Sequence, residues 1–291
     1  MLSVQKNSMS KGLADQIMVQ KPYNIIFDLE EYGDESIRGK VKNEFLSANE
    51  CGPISCSEAG RHIAILGSIA LSRKSNSKNY HLATYADLKR KTRSTGNGNI
   101  LKLQAKIFSF STKYSEIIGA ISDTNNQIIY ETTVKYKTLS QPLFSRLFSP
   151  FKYPATINNN TSPYRKRRQL SDIQITENKV TAVYGNILPN ECEGHFADYP
   201  ALPVAIVGNT LGELAIALFL FHNSAYSKAI VLACKINAYR LAFHGEYLTM
   251  RGEVKSKNEG RSMWVFCEAM VNSNVMAAAE IEVAGVENSD N

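Results

Sequence analysis

The chain has 291 residues, of which 44% are hydrophobic and 21% are charged, and its net charge is +6. This composition excludes a mostly disordered chain and is ordinary for a globular protein of one large or two modest domains. Much of the positive charge lies in the run 165–168 (RKRR), so the chain as a whole does not read as a nucleic-acid-binding protein.

The five cysteines form no CxxC pair and no metal-type grouping with histidine. An odd number of unpaired cysteines favours a reducing compartment, and we expect a cytoplasmic protein without a metal site. Residues 1–20 contain no unbroken apolar core, so we expect no secretion signal. The longest apolar run, 214–221, is too short to span a bilayer and predicts a buried helix.

The first half of the chain predicts a strand at 37–46 and an apolar helix at 57–72. Three strands rich in Ile, Phe, Tyr and Thr follow, at 100–110, 114–122 and 127–138. The stretch 73–98 has no role that we can assign. Four prolines then fall within 140–168, and this composition predicts a linker without a packed element.

The second half repeats the same order. A strand is predicted at 180–188 and an apolar helix at 205–221, followed by strands at 229–242, 247–257, 262–271 and 275–283. The triplet Asn49-Glu50-Cys51 recurs as Asn190-Glu191-Cys192, and the segment 63–65 aligns with 214–216 inside the two helices.

Each half therefore predicts one long helix wrapped by an antiparallel sheet, which is the hotdog arrangement. Pairing two such sheets covers the exposed edge and the apolar face of each one. We expect an α+β double hotdog, paired as a pseudo-dimer. The expected organisation is a first repeat at 1–139, a linker at 140–168 and a second repeat at 169–291. Whether this pair assembles further is left open.

The most informative segment is 194–203, with the sequence GHFADYPALP. It resembles the signature Gly-His-Phe-Pro-Gly-x-Pro-x-x-Pro-Gly of the 3-hydroxyacyl-ACP dehydratases of the hotdog superfamily. The matching positions are Gly194, His195, Phe196, Pro200 and Pro203. The positions that depart from the signature are Ala197, Asp198 and Val204.

The signature also carries an acid fourteen positions after the histidine, where this chain has Asn209. The alignment of the two predicted helices sets Glu58 opposite Asn209. The first half thus keeps an acid and lacks the histidine loop, whereas the second half keeps the loop and lacks the acid. In the dehydratases that the chain resembles, each site takes these two groups from different subunits. The resemblance therefore implies one composite site, formed by His195 and Glu58.

These residue types suit dehydration of a 3-hydroxyacyl thioester. Histidine can remove the proton at C2, and a buried carboxylic acid can protonate the leaving oxygen at C3. Backbone N–H groups at a helix start can polarise the thioester carbonyl, either at 204–208 or at 55–57. Gly194, Phe196 and Pro203 are expected to support this site.

Other side chains offer alternatives. Arg61 and His62 follow Glu58 by one turn, and we expect them to have supporting or substrate-binding roles. A structural Glu58–His62 pair is as reasonable as a functional one. Glu213 is a substitute acid, and Asn209 is a candidate for orienting water or substrate. A thiol nucleophile at Cys56 is the weakest alternative. The run 165–168 is read as a solvated linker, with attraction of a carrier protein or coenzyme A phosphates as the alternative.

Three functions stay open at this level. The first is a 3-hydroxyacyl-thioester dehydratase of fatty-acid or polyketide biosynthesis, with a substrate carried on the phosphopantetheine of acyl carrier protein or coenzyme A. The second is a thioesterase on the same fold, in which a carboxylate activates water. The third is a non-catalytic protein that holds an acyl chain for a partner synthase. None of them requires a further cofactor.

Overall fold

The computed structural model describes residues 12–44, 49–75, 77–93, 100–154, 162–258 and 261–286. The first half contains β1 (Phe27–Glu31), β2 (Ser36–Val41), α1 (Cys56–Ser72), β3 (Asn79–Arg90), β4 (Leu101–Phe110), β5 (Tyr114–Ser122) and β6 (Ile128–Ser140), and it is followed by α2 (Gln141–Leu147). The second half contains β7 (Ser171–Ile175), β8 (Lys179–Asn186), α3 (Val204–His222), β9 (Lys228–Ala238), β10 (Tyr247–Asn258), β11 (Ser262–Val271) and β12 (Asn274–Val286).

The helix α1 forms where the sequence predicts it. The Ser55 hydroxyl caps its first turn by accepting a hydrogen bond from the Glu58 N–H at 3.3 Å. Ile63, Leu66 and Ile69 follow at helical spacing, and each is 0% exposed. This apolar face packs against β2, β4, β5 and β6, so α1 is the central helix of the first half.

The helix α3 is apolar over most of its surface. Its length and composition would suffice to cross a membrane, since an 18-residue window has a mean hydropathy of 2.0. However, 61% of that window is buried inside the protein, and α3 contacts α1, β11 and β12. Burial on most sides explains the composition, and the predicted buried helix is confirmed.

All twelve strands of the described residues form one sheet with the order β1-β2-β4-β5-β6-β3-β9-β12-β11-β10-β8-β7. Every neighbouring pair is antiparallel, and the second half repeats the strand order of the first in reverse. The two half-sheets join through β3 and β9, where Leu88 lies opposite Cys234. The predicted double hotdog, with a central helix inside each half-sheet, is confirmed.

The joining strand β3 lies inside the stretch 73–98, to which the sequence assigned no role. It pairs with β6 on one side and β9 on the other, so it is the element that connects the two halves. Only Tyr80 and Leu88 are fully buried along this strand. Without a clear apolar alternation, sequence patterns do not mark it as a central strand.

The repeat alignment agrees with the packing of the two central helices. A Cβ atom on Gly208 would lie 3.6 Å from the Ser57 hydroxyl, so α1 and α3 approach each other here. In a pair related by pseudo-twofold symmetry, equivalent positions meet near the axis. Ser57 and Gly208 are equivalent in the alignment that sets Glu58 opposite Asn209, which supports its register. The repeated triplets differ locally: Glu50 bridges Ala229, whereas Glu191 lies in a 3-10 turn.

The prediction that no element packs within 140–168 is wrong for α2. Phe144 in this short helix is 0% exposed, and its ring stacks on Tyr80 at 3.6 Å between centroids. It also packs against Phe196 and Tyr199, at 5.3 and 5.4 Å. The aromatic contacts that bury Phe144 come from distant segments, so the proline-rich composition does not reveal them.

Candidate active site

An apolar cavity lies between the two halves. The first half contributes residues of α1, β3 and β6, and the second half contributes the loop 194–203, the start of α3 and residues of β9. Most of the wall is apolar, and polar groups reach it at a few points. These are Tyr23, Ser57, Arg61, Ser68, His81, Tyr136, His195 and Arg240. No Asp or Glu lines this cavity among the described residues.

His195 lies in the cavity wall with a defined tautomer. Its Nδ1 atom is 2.8 Å from the Ala201 carbonyl oxygen, which can only accept, so Nδ1 carries the proton. The Nε2 atom therefore keeps its lone pair. Burial, and to a lesser degree the positive charge of Arg61, lower the pKa of His195 to about 4. The imidazole is consequently neutral at physiological pH.

The loop that carries His195 is held by the N-terminal segment. Gly194 has φ +77°, and a Cβ atom there would lie 2.5 Å from the Gln20 carbonyl oxygen. The Gln20 N–H donates to the Gly194 carbonyl at 2.7 Å. Glycine is required here by both the backbone conformation and the close approach. The His195 ring then lies between Phe196 and Tyr23, with centroid distances of 4.1 and 5.2 Å.

The end of the loop determines how α3 begins. Pro203 is the N-cap residue, and its side chain has no atom that could accept a hydrogen bond from the first turn. Val204, Ala205 and Gly208 lie in the cavity wall. The N-terminus of α3, which has no side-chain cap, therefore lies at the cavity together with the positive end of the helix dipole.

Arg61 is close to His195 and is fully buried. Its Nη1 donates to the Glu44 carboxylate at 2.7 Å, and its Nε donates to the Tyr23 carbonyl at 3.0 Å. The guanidinium lies over the rings of Tyr23 and Tyr164, at 4.4 and 4.8 Å. Arg61 thus fastens the N-terminal segment to α1 and presents a positive charge to the cavity.

Glu58 and His62 lie beside the cavity and do not line it. A Glu58 oxygen accepts a hydrogen bond from the Glu44 N–H at 2.6 Å and lies 3.4 Å from His62 Nε2. Both side chains are 0% exposed. Burial lowers the pKa of His62. Glu44 bonds to both Glu58 and Arg61, and the charge of Arg61 acts on His195, so the two predicted catalytic groups share a neighbourhood. No direct contact between Glu58 and His195 is given among the described residues.

Asn209 and Glu213 lie on the other side of α3. The Asn209 amide donates to Glu213 at 3.3 Å, and Arg167 forms an ion pair with the same carboxylate. Burial raises the pKa of Glu213. A small second pocket, which Asn209 lines together with 166–168, occupies this place. It corresponds to the second pseudo-site of the repeat and does not include His195.

The run 165–168 is only partly a solvated linker. The side chain of Arg167 is 14% exposed, and Arg168 bonds to Glu191 at 3.1 Å. The interpretation of a solvated run is therefore wrong for Arg167, whose charge is needed to balance Glu213. Tertiary burial of a charge beside its partner leaves no local mark in the sequence.

Cys56 lines the cavity next to Cys234. A hydrogen bond with Cys234, together with burial, raises the pKa of the Cys56 thiol well above its usual value. A protonated, buried thiol is a poor nucleophile, which disfavours the covalent alternative.

Several cavity residues were missed by sequence analysis. Tyr23 and His81 come from segments that carry no motif. None of these positions has a sequence signal, because only the folding of the N-terminal segment and β3 brings them to the cavity.

No protein-family model matches the chain. The chain is 25% identical over 146 residues to the 3-hydroxyacyl-[acyl-carrier-protein] dehydratase FabZ of Acinetobacter baumannii, covering 48% of this chain and 91% of that protein. Among solved structures, a Lactobacillus plantarum protein assigned as an oleoyl thioesterase has a TM-score of 0.61 and 10% identity, covering 87% of this chain and 97% of its own.

A protein with a hot dog fold from Alicyclobacillus acidocaldarius has a TM-score of 0.52 and 8% identity, covering 89% of this chain and 95% of its own. At such low identity these structural similarities show the fold alone. The chain therefore has the hotdog fold, present twice, and its sequence resembles the 3-hydroxyacyl-ACP dehydratases.

Proposed function

We propose that this protein is a dehydratase that removes water from a 3-hydroxyacyl thioester carried on phosphopantetheine, from acyl carrier protein or coenzyme A. The observation that carries the proposal is His195. Its proton is held on Nδ1 by Ala201, which leaves Nε2 as an acceptor in a mostly apolar cavity between the two halves. A neutral imidazole with a fixed tautomer is suited to accept a proton.

The start of α3 supplies the second requirement. When the C2 proton leaves, negative charge develops on the thioester oxygen. Val204 and Ala205 line the same cavity, and the helix start has no side-chain cap, so we expect their N–H groups to donate to that oxygen. Fixed donors that meet developing charge in an apolar site stabilise the transition state strongly.

The proton balance can be completed by His195. The C2 proton moves to Nε2, the C3–oxygen bond breaks, and the same proton passes to the departing hydroxide, which leaves as water. Burial and Arg61 lower the pKa of His195, so its protonated form is a strong acid for this second transfer. The products are the enoyl thioester, water and the original neutral imidazole.

Glu58 keeps its proposed role as the acid in an alternative version of the mechanism. It lies beside Arg61 and outside the cavity wall, so a direct role requires its side chain to turn toward the substrate. The two versions make opposite predictions for Glu58→Gln. This substitution retains an oxygen that can accept from the Glu44 N–H, so the local structure should be preserved.

The test is enoyl formation from a panel of 3-hydroxyacyl thioesters on acyl carrier protein and on coenzyme A, followed by mass spectrometry. His195→Ala should reduce turnover at least 100-fold. The matched control is His244→Ala, a histidine outside the cavity, which should retain near wild-type activity. Retained turnover in Glu58→Gln supports proton return by His195, whereas loss comparable to His195→Ala assigns the acid to Glu58.

A thioesterase is the second candidate. The likeness in fold to a protein assigned as an oleoyl thioesterase favours it, and His195 could activate water instead of abstracting a carbon-bound proton. Against the carboxylate version, neither Glu58 nor Asn209 lines the cavity. Release of free thiol from saturated acyl thioesters, without enoyl formation, would replace the dehydratase proposal. If neither enoyl formation nor thiol release is detected but the protein still binds acyl-loaded carrier protein, the result would favour an acyl-binding partner of a synthase.

A further inference from the structure

A second polar patch lies in the cavity, about two turns of α1 beyond Arg61, which corresponds to roughly 10 Å of helix rise. It consists of Ser68, His81 and Tyr136, and all three line the cavity. The hydroxyls of Ser68 and Tyr136 donate to the Ala64 carbonyl, at 3.0 and 2.8 Å. Their donor capacity is therefore used within the protein.

His81 differs from its two neighbours. Its Nδ1 atom lies 3.2 Å from the Thr138 hydroxyl, whereas its Nε2 atom is buried without a hydrogen-bond partner among the described residues. His81 and Tyr136 lie on the face of the sheet that points toward α1, since the strand register pairs His81 with Thr138 and Ala83 with Tyr136. A buried polar atom without a partner costs free energy, and in a binding cavity this cost is relieved by a ligand.

We propose that the natural substrate carries a second oxygen, a hydroxyl on the acyl chain beyond the reacting carbons, which forms a hydrogen bond with His81 Nε2. The inference rests on the proposed function, because it treats the cavity as the acyl site. It names the substrate class as a hydroxylated acyl thioester and excludes a plain saturated chain as the preferred substrate.

A hydroxyl is favoured over a keto oxygen by the chemistry of the His81–Thr138 pair. If Thr138 donates to Nδ1, Nε2 carries the proton and needs an acceptor. If Nδ1 donates to Thr138, Nε2 needs a donor. A hydroxyl satisfies either tautomer, whereas a keto oxygen satisfies only the first. Burial lowers the pKa of His81 to about 4, so the ring stays neutral and makes one of these two bonds at physiological pH.

The experiment compares pairs of 3-hydroxyacyl thioesters of equal length, one with an unmodified chain and one with a second hydroxyl at successive carbons along it. For at least one position, we expect a kcat/KM that is 10-fold or more above that of the unmodified chain. His81→Phe fills the ring volume without a polar atom and should abolish this preference. His81→Gln retains a donor and an acceptor and should restore most of it.

Binding of unreactive amide analogues separates this inference from the proposed function. If no thioester is turned over but the hydroxylated amide still binds wild type 10-fold more tightly than His81→Phe, the reaction is wrong and the inference stands. If wild type binds and converts both chains equally, or if His81→Phe changes both alike, the inference is overturned. Thermal unfolding of both variants establishes that each is folded at the assay temperature.

Discussion

Two effects act in opposite directions on the protonation of His195. The Ala201 carbonyl fixes the tautomer and favours the charged form, whereas burial and the nearby Arg61 disfavour it more strongly. The result is a weak base that is always available. This arrangement suits a group that must accept a proton and return it within one turnover.

The pH dependence of activity follows from this. A base is active when it is neutral. Because the pKa of His195 is lowered to about 4, the pH at which kcat/KM falls on acidification shifts to about 4 from the ordinary value near 6.5. We expect log kcat/KM to be flat from pH 8 to about 5 and to fall below about 4. Steady-state kinetics across this pH range measures the fall in kcat/KM, and activity is measured again at neutral pH after each incubation to establish that the loss is reversible. A break near 6.5 would contradict the assignment.

Arg61 should be essential for the fold. Removing its guanidinium in Arg61→Met leaves the Glu44 carboxylate, which is 5% exposed, without its charged partner. We expect a loss of about 3–5 kcal/mol in the free energy of unfolding, measured in urea. The matched control is Arg251→Met, where the Arg251–Glu268 pair is at the surface and the loss should stay below about 1 kcal/mol. If both variants lost less than about 1 kcal/mol in the free energy of unfolding, Arg61 would not be important for the stability of the fold.

At the scale of elements, α2 packs against the loop that carries His195. Phe144 contacts Phe196 and Tyr199, which flank the turn that follows His195. A helix in the connection between the halves therefore packs against the loop that carries His195. The stretch that sequence composition marked as a linker is a structural part of the site.

Phe144→Ala should lower the free energy of unfolding by about 3–5 kcal/mol, because it leaves a cavity at a fully buried aromatic cluster. It should also reduce turnover at temperatures where the protein remains folded, since Phe196 and Tyr199 lose a packing partner. Leu147→Ala on the same helix is the control: Leu147 is 52% exposed, and the change should be within about 0.5 kcal/mol. A stability loss without a kinetic effect would limit α2 to a structural role.

At the scale of the whole molecule, the two halves form one continuous sheet with packed central helices. The pairing of β3 with β9 makes a single sheet, and α1 meets α3 at Ser57 and Gly208. The cavity takes His195 from the second half and most of its helical wall from the first. Neither half therefore holds the site by itself.

This predicts a single unfolding transition. Trp264, the one tryptophan of the chain, lies in β11 and reports on the second half by fluorescence. Hydrogen exchange of peptides from β4 and β5 reports on the first half. Both probes should give the same urea midpoint, because separating β3 from β9 exposes buried strand edges in each half. An earlier midpoint for the β4 and β5 peptides would show that the halves unfold independently.

The sequence by itself determined the repeat, both central helices, nine of the strands and the histidine loop, because these depend on local periodicity and a contiguous motif. It also aligned the helices in a register that the Ser57–Gly208 approach supports. The tertiary structure alone decided that β3 joins the halves, that Glu58 is beside the cavity, and that Tyr23 and His81 line it. These outcomes depend on which distant segments pack together, and no local pattern encodes such contacts.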